Sequence, residues 1–207
     1  MMTVVSLTQN KLGANFKKNK YLILFSVVFV LFMIIGILYI SGKSNLPSAI
    51  PKLFSNFSTE RKSSSFFKIF FVSFLDRFSF VVALFVFGIS IAGVFIAPIS
   101  VSLLGTFYGI FLGYIYKTYL LTGIGFSALV VLAPSVMYIY AFFLAAKEVF
   151  CFSKLFFASL SKNSPAADYY SGFRLYSARF IVVFLLIVFS ALLDAVLSFA
   201  FLGLFNF

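Results

Sequence analysis

Residues Phe78–Tyr116 read FSFVVALFVFGISIAGVFIAPISVSLLGTFYGIFLGYIY, 39 consecutive positions without a charged side chain. At a rise of 1.5 Å per residue, about 20 residues cross the roughly 30 Å hydrocarbon core of a bilayer. The run is too long for one crossing and suits two. Pro98 lies near its middle, and a proline there predicts the end of one helix and the start of the next. The stretch therefore reads as spans at about 78–97 and 99–116, joined by a very tight turn.

Working upstream, residues 66–77 are apolar but carry Lys68, Asp76 and Arg77 on one broad helical arc, the pattern of an interfacial helix leading into the next span. Residues 41–65 form a Ser-, Asn- and Lys-rich loop. Within it, Ile50, Leu53, Phe54 and Phe57 share one helical face. Ser48 is placed to cap that helix and Pro51 suits its first turn. A helix lying on the membrane surface and a helix docking a partner both fit this spacing. Tyr21–Ile40 is uncharged and forms the first span, preceded by Lys11, Lys17, Lys18 and Lys20 in a basic segment 1–20. No small-x-small site ends this apolar run, so it reads as retained rather than cleaved.

Downstream of Lys117, residues 118–146 are again uncharged. Gly123 and Gly125 loosen the start of this stretch and Pro134 interrupts it. One span at about 124–146, kinked at Pro134, is expected, with a re-entrant segment over 118–134 as the other arrangement. Residues 147–179 are polar. Their first part continues the preceding helix out of the membrane until Asn163–Ser164–Pro165 breaks it. The last span, about 180–205, is interrupted only by Asp194. The expected fold is thus all-α, a polytopic transmembrane bundle of about five spans with one or two interfacial amphipathic helices. Its parts are the basic cytoplasmic segment 1–20, the span 21–40, an extracytoplasmic loop 41–77 and a transmembrane core 78–207.

Composition agrees. Of 207 residues, 63% are hydrophobic and 10% charged, and the mean hydropathy is +1.13. A soluble domain carries about a quarter charged residues. The net charge of +11 sits between apolar blocks, where lipid headgroups and topology explain it better than nucleic acid. With the N-terminus inside, nine Lys and Arg residues fall on the inner side and seven on the outer, a bias towards that orientation.

Chemistry is sparse. The chain has no His, one cysteine, Cys151, and no phosphate-cradling Gly-Lys-Ser/Thr loop. No catalytic residue, metal ligand or cofactor site is expected. Gly105, Gly109 and Gly113 line one face of the third span, and Gly88 with Ala92 and Gly93 with Ala97 form similar pairs in the second. Such faces let helices approach closely, either within the chain or to another span. Asp194 lies about 22 Å along the last helix from Arg179. Three readings stand: a solvated interfacial acid, a partner of a base such as Arg77, or an ion or proton site.

The order Gly88-Ile89-Ser90-Ile91-Ala92-Gly93, Pro98-Ile99 and Gly105-xxx-Gly109-xxx-Gly113 resembles the bacterial stage II sporulation protein M family. The Pro134 region in Val-Leu-Ala-Pro, and the final span carrying Asp194 after Arg179, are similar too. The resemblance covers about 66–207. It implies an amide at position 76, where this chain has Asp76. It further implies a non-catalytic, multi-pass protein of the bacterial cell membrane that anchors a peptidoglycan-remodelling complex during endospore engulfment, with stage II sporulation proteins D and P as partners. The alternative is a membrane subunit of a transporter or permease.

Overall fold

The computed structural model describes residues 2–43, 48–161 and 166–201. Every regular element among them is helical: α1 (Met2–Ser41), α2 (Ala49–Ser63), α3 (Phe66–Gly88), α4 (Gly93–Phe126), a π-helical segment (Ser127–Leu132), α5 (Ala133–Ser161) and α6 (Ala166–Phe201). Five stretches are long and apolar enough to cross a membrane: Asn19–Ser41, Phe66–Gly88, Gly93–Leu120, Thr122–Phe157 and Tyr170–Phe201. The chain is a multi-pass, all-helical membrane protein. Broad apolar faces stay uncovered, as on α1, where Leu24, Leu31, Ile35 and Leu38 are each more than half exposed; lipid tails satisfy such a surface.

The second span begins twelve residues earlier than expected. Residues 66–77 belong to it rather than to an interfacial helix, because Lys68 sits near its end and Arg77 faces inward to a buried acid. Arg77 lies 11 residues from either end of α3, about 16 Å from each.

Pro98 does not divide the second and third spans. The reversal lies at residues 89–92, six to nine positions before the proline, and Pro98 is the sixth residue of α4. There it removes one backbone bond near the helix start. The turn is held by short-range bonds, Ile89 N–H to Val86 O (3.2 Å), Ser90 N–H to Phe87 O (3.1 Å) and Gly93 N–H to Ser90 O (3.2 Å). The Ser153 hydroxyl fastens it by donating to Ser90 O (2.6 Å). A Cβ on Gly88 would overlap the Tyr176 hydroxyl, so that glycine admits Tyr176 beneath the turn.

The third reversal is equally tight. Leu120 has φ 45°, a region that favours glycine and costs a branched residue about 1–3 kcal/mol. The fourth span therefore starts near Thr122, and residues 118–134 form the end of one helix, this break and the π-helical segment, not a separate re-entrant loop. The π-helical residues end two positions before Pro134. Proline has no N–H for the carbonyl four residues back, and a widened turn absorbs the mismatch. The last span begins near Tyr170, not 180, so Arg174 and Arg179 lie on α6. The break expected at Asn163–Pro165 and the end of that span at 202–205 lie outside the described residues.

Two packed regions organise the bundle. The larger joins α1, α3, α4, α5 and α6 through Phe25, Phe29, Val81, Val101, Phe142 and Phe180. The smaller surrounds α2, whose Phe54 is buried among Tyr114, Ile115, Phe126 and Val130. The Ile50–Phe57 face is thus turned onto the spans rather than lying flat on a membrane surface, and Ser48 makes no side-chain cap bond.

Candidate functional site

Gly105, Gly109 and Gly113 meet α1. Ideal Cβ atoms built on them would press on Phe29 O (2.6 Å), overlap Met33 O and approach Ile37 Cα (3.2 Å). Both helices advance by four residues per contact in the same direction, so α1 and α4 pack as a parallel pair. Gly36 completes the seam from α1, its would-be Cβ 2.6 Å from Thr106 O. The glycine face is occupied within the chain.

The polar residues converge elsewhere. Asp194 is 1% exposed and accepts both terminal nitrogens of Arg61, Nη1 to Oδ1 at 2.7 Å and Nη2 to Oδ2 at 2.9 Å. This fork geometry gives strong, oriented carboxylate binding. Arg77 Nη2 donates to Oδ2 at 2.9 Å, and the Ser73 hydroxyl donates to the same oxygen at 2.7 Å. Arg77 Nη1 donates to Ser190 Oγ (2.7 Å), and that hydroxyl donates to Pro134 O (2.8 Å), tying the cluster to the carbonyl beside the helix irregularity. Arg61 Nη1 also reaches Ser198 Oγ at 2.7 Å. Three helices, α2, α3 and α6, are thereby joined through one carboxylate, and Ser190 links α5 to them. Removing water from these charges is expensive, and only such complete pairing makes it tolerable.

Asp194 is thus neither solvated nor free, and of its three readings the pairing with Arg77 describes the geometry. Arg61, placed in a polar loop by its sequence surroundings, is the residue that sequence reasoning missed. A signal existed: it lies four positions after Phe57, on the same helical stripe as Ile50, Leu53, Phe54 and Phe57. Its guanidinium also sits 4.0 Å over the Phe57 ring.

A cavity of about 380 Å³ adjoins the cluster. Ile50, Leu53 and Phe57 of α2, Phe107 and Phe111 of α4, and Val130 and Val131 of the π-helical segment form its apolar walls. Arg61, Arg77, Tyr108, Ser135 and Asp194 form its polar end, where Tyr108 and Ser135 bond to each other at 2.9 Å.

Asp76 lies apart. It is exposed on the outer side of α3 and makes no ion pair among the described residues, while its neighbour Arg77 points inward. A second ionic pair, Arg179 with Glu148 at 2.5 Å, joins α5 to α6 nearer the opposite membrane face. Cys151 is half-buried and free. Among the described residues no group of three or more His, Cys, Asp or Glu side chains could hold a metal ion. Compared with family models, curated proteins and solved structures, the chain finds no match.

Proposed function

We propose that the chain is a non-catalytic membrane scaffold whose outer α3 face docks a helix of another membrane protein. The observation that carries this reading is Asp76, an ionisable group on a lipid-facing surface, ten residues into a 23-residue span. A charge at mid-membrane costs about 2.5–3.5 kcal/mol on insertion scales, and such groups almost always find a partner. The strip around it suits a helix: Ser79 and Ala83 are small and exposed, flanked by Phe80 at 64% and Val72 at 47% exposure. The partner's chemistry follows by complementarity, a transmembrane helix presenting Lys or Arg at that depth. A second copy meeting Asp76 with Asp76 would place like charges together.

The family resemblance supplies the partner class: components of a peptidoglycan-remodelling complex in a bacterial cell membrane, stage II sporulation proteins D and P among them. The charge bias supports an inside N-terminus. Arg61 and Arg77 are committed to Asp194, and Lys147 and Arg179 to Glu148; without these, five basic residues stand outside, Lys43, Lys52, Lys62, Lys68 and Lys117, against seven inside.

One observation favours a permease subunit instead: a cavity beside broken helices near the bilayer midplane, the usual place for a transport site. The two readings separate by partner identity. A photo-crosslinking residue at position 79, in protein purified from native membranes, captures cell-wall hydrolase subunits if the scaffold reading holds. Asp76→Leu abolishes that capture without lowering thermal stability. Adducts to lipid or to a second copy alone, or capture unaffected by Asp76→Leu, refute it. Recovery of an ATPase or permease subunit moves the protein to the transport reading.

A further inference from the structure

The charges around the cavity do not balance. Two guanidinium groups face one carboxylate, and that carboxylate is saturated: Oδ1 accepts from Arg61 and Ser198, and Oδ2 from Arg61, Ser73 and Arg77. Arg61 spends four of its five N–H donors on protein acceptors. Arg77 spends two of five, on Ser190 and Asp194. The remaining Arg77 donors have no acceptor among the described residues, and Arg77 lines the cavity. Asp76, the nearest acid in sequence, faces outward from α3. A group entering this polar end meets positive charge and unused donors, the requirements of an anion with acceptor oxygens.

The rest of the cavity is apolar, and two of its wall residues show how it opens. Leu53 and Phe107 line it and are 65% and 67% exposed. Phe107 lies about halfway along the third span, so its exposed side faces hydrocarbon. The mouth therefore opens sideways between α2 and α4 into the membrane. A volume of about 380 Å³ is at the small end of ligand pockets; it takes a headgroup with the first part of a chain and leaves the remainder in the bilayer.

We propose that this cavity binds the head of an anionic, chain-bearing amphiphile, a phosphate- or carboxylate-headed lipid, that enters between α2 and α4 and places its oxygens on Arg77. The inference rests on the cavity and is independent of the Asp76 surface.

The chain contains no tryptophan, so Phe107→Trp supplies a single fluorescent reporter at the mouth. The protein is reconstituted in phosphatidylcholine vesicles in which either brominated phosphatidylglycerol or brominated phosphatidylcholine is the quencher. Quenching is expected to give a relative association constant roughly tenfold in favour of the anionic lipid, the size of one charge-assisted contact. Arg77→Gln removes that preference. Because Arg77→Gln also disturbs the ion cluster, Val131→Phe serves as the second variant: it fills the cavity, leaves every charge in place and abolishes the preference too. Equal quenching by both lipids overturns the proposal. So does a preference that survives in Val131→Phe, which assigns it to the general positive charge of the surface. Displacement by millimolar inorganic phosphate also overturns the lipid assignment and leaves a site for a small free anion.

Discussion

The seam between α1 and α4 allows a single methyl group to be used as a probe. In Gly109→Ala the added Cβ falls on the Met33 carbonyl oxygen and within 3.0 Å of Met33 Cα. These are backbone atoms, so no side-chain rotation relieves the overlap and α1 has to move away as a body. Its neighbours Gly105–Phe29 and Gly113–Ile37 would then separate as well. Overpacking of this kind costs about 1–3 kcal/mol, and with about 2–4 °C per kcal/mol for a chain of this size the midpoint of thermal unfolding in detergent falls by about 2–12 °C. Gly42→Ala is the matched control: its nearest neighbour is Leu38 O at 3.5 Å, an ordinary contact. Gly42→Ala is expected to leave the midpoint where it was or raise it slightly. A Gly109→Ala protein that melts with the wild type, or a Gly42→Ala protein that falls equally, refutes the close-packed seam.

Two further outcomes follow from the polar contacts. Asp194→Asn strands two half-buried arginines and is expected to cost about 3 kcal/mol, whereas replacing Arg61, Arg77 and Asp194 together by Met, Met and Leu is expected to be near neutral or stabilising; chemical denaturation of both variants checks the pair. Lys117 Nζ donates to the carbonyls of Ile40 (3.1 Å) and Lys43 (2.5 Å) at the end of α1, so Lys117→Met should reduce hydrogen-exchange protection at residues 38–43 by about 1 kcal/mol and leave the glycine seam unchanged.

The five crossings were legible because uncharged runs of membrane length are a composition signal that survives without knowledge of packing. Their boundaries were less so. Lys68, Asp76 and Arg77 argued against a span at 66–77, since the cost of a buried charge is visible in the sequence and its offsetting partner, 117 residues away, is not. Pro98 pulled the second reversal six to nine residues late, because a proline near a helix start and one between helices look alike locally. The glycine spacing marked a close-packed face but not its occupant. Asp194 stood out as an isolated acid in a span, while Arg61 did not, since an arginine in a Ser- and Lys-rich segment looks solvated until α2 is seen to fold back against the spans. With two arginines resting on Asp194, lost activity in Asp194→Asn would report instability as readily as a transport role.

The ion cluster also has a history in time. Arg61 and Arg77 leave the ribosome 133 and 117 residues before Asp194. At about 5–20 residues per second, Arg77 waits roughly 6–23 s for its carboxylate, with a guanidinium at the midpoint of a helix that has nothing to pair it. During that interval α3 has to be sheltered by the insertion machinery or held at the membrane surface. Chains released before α6 is made would carry two cations without their carboxylate, so the last helix completes the charge pairing of α2 and α3.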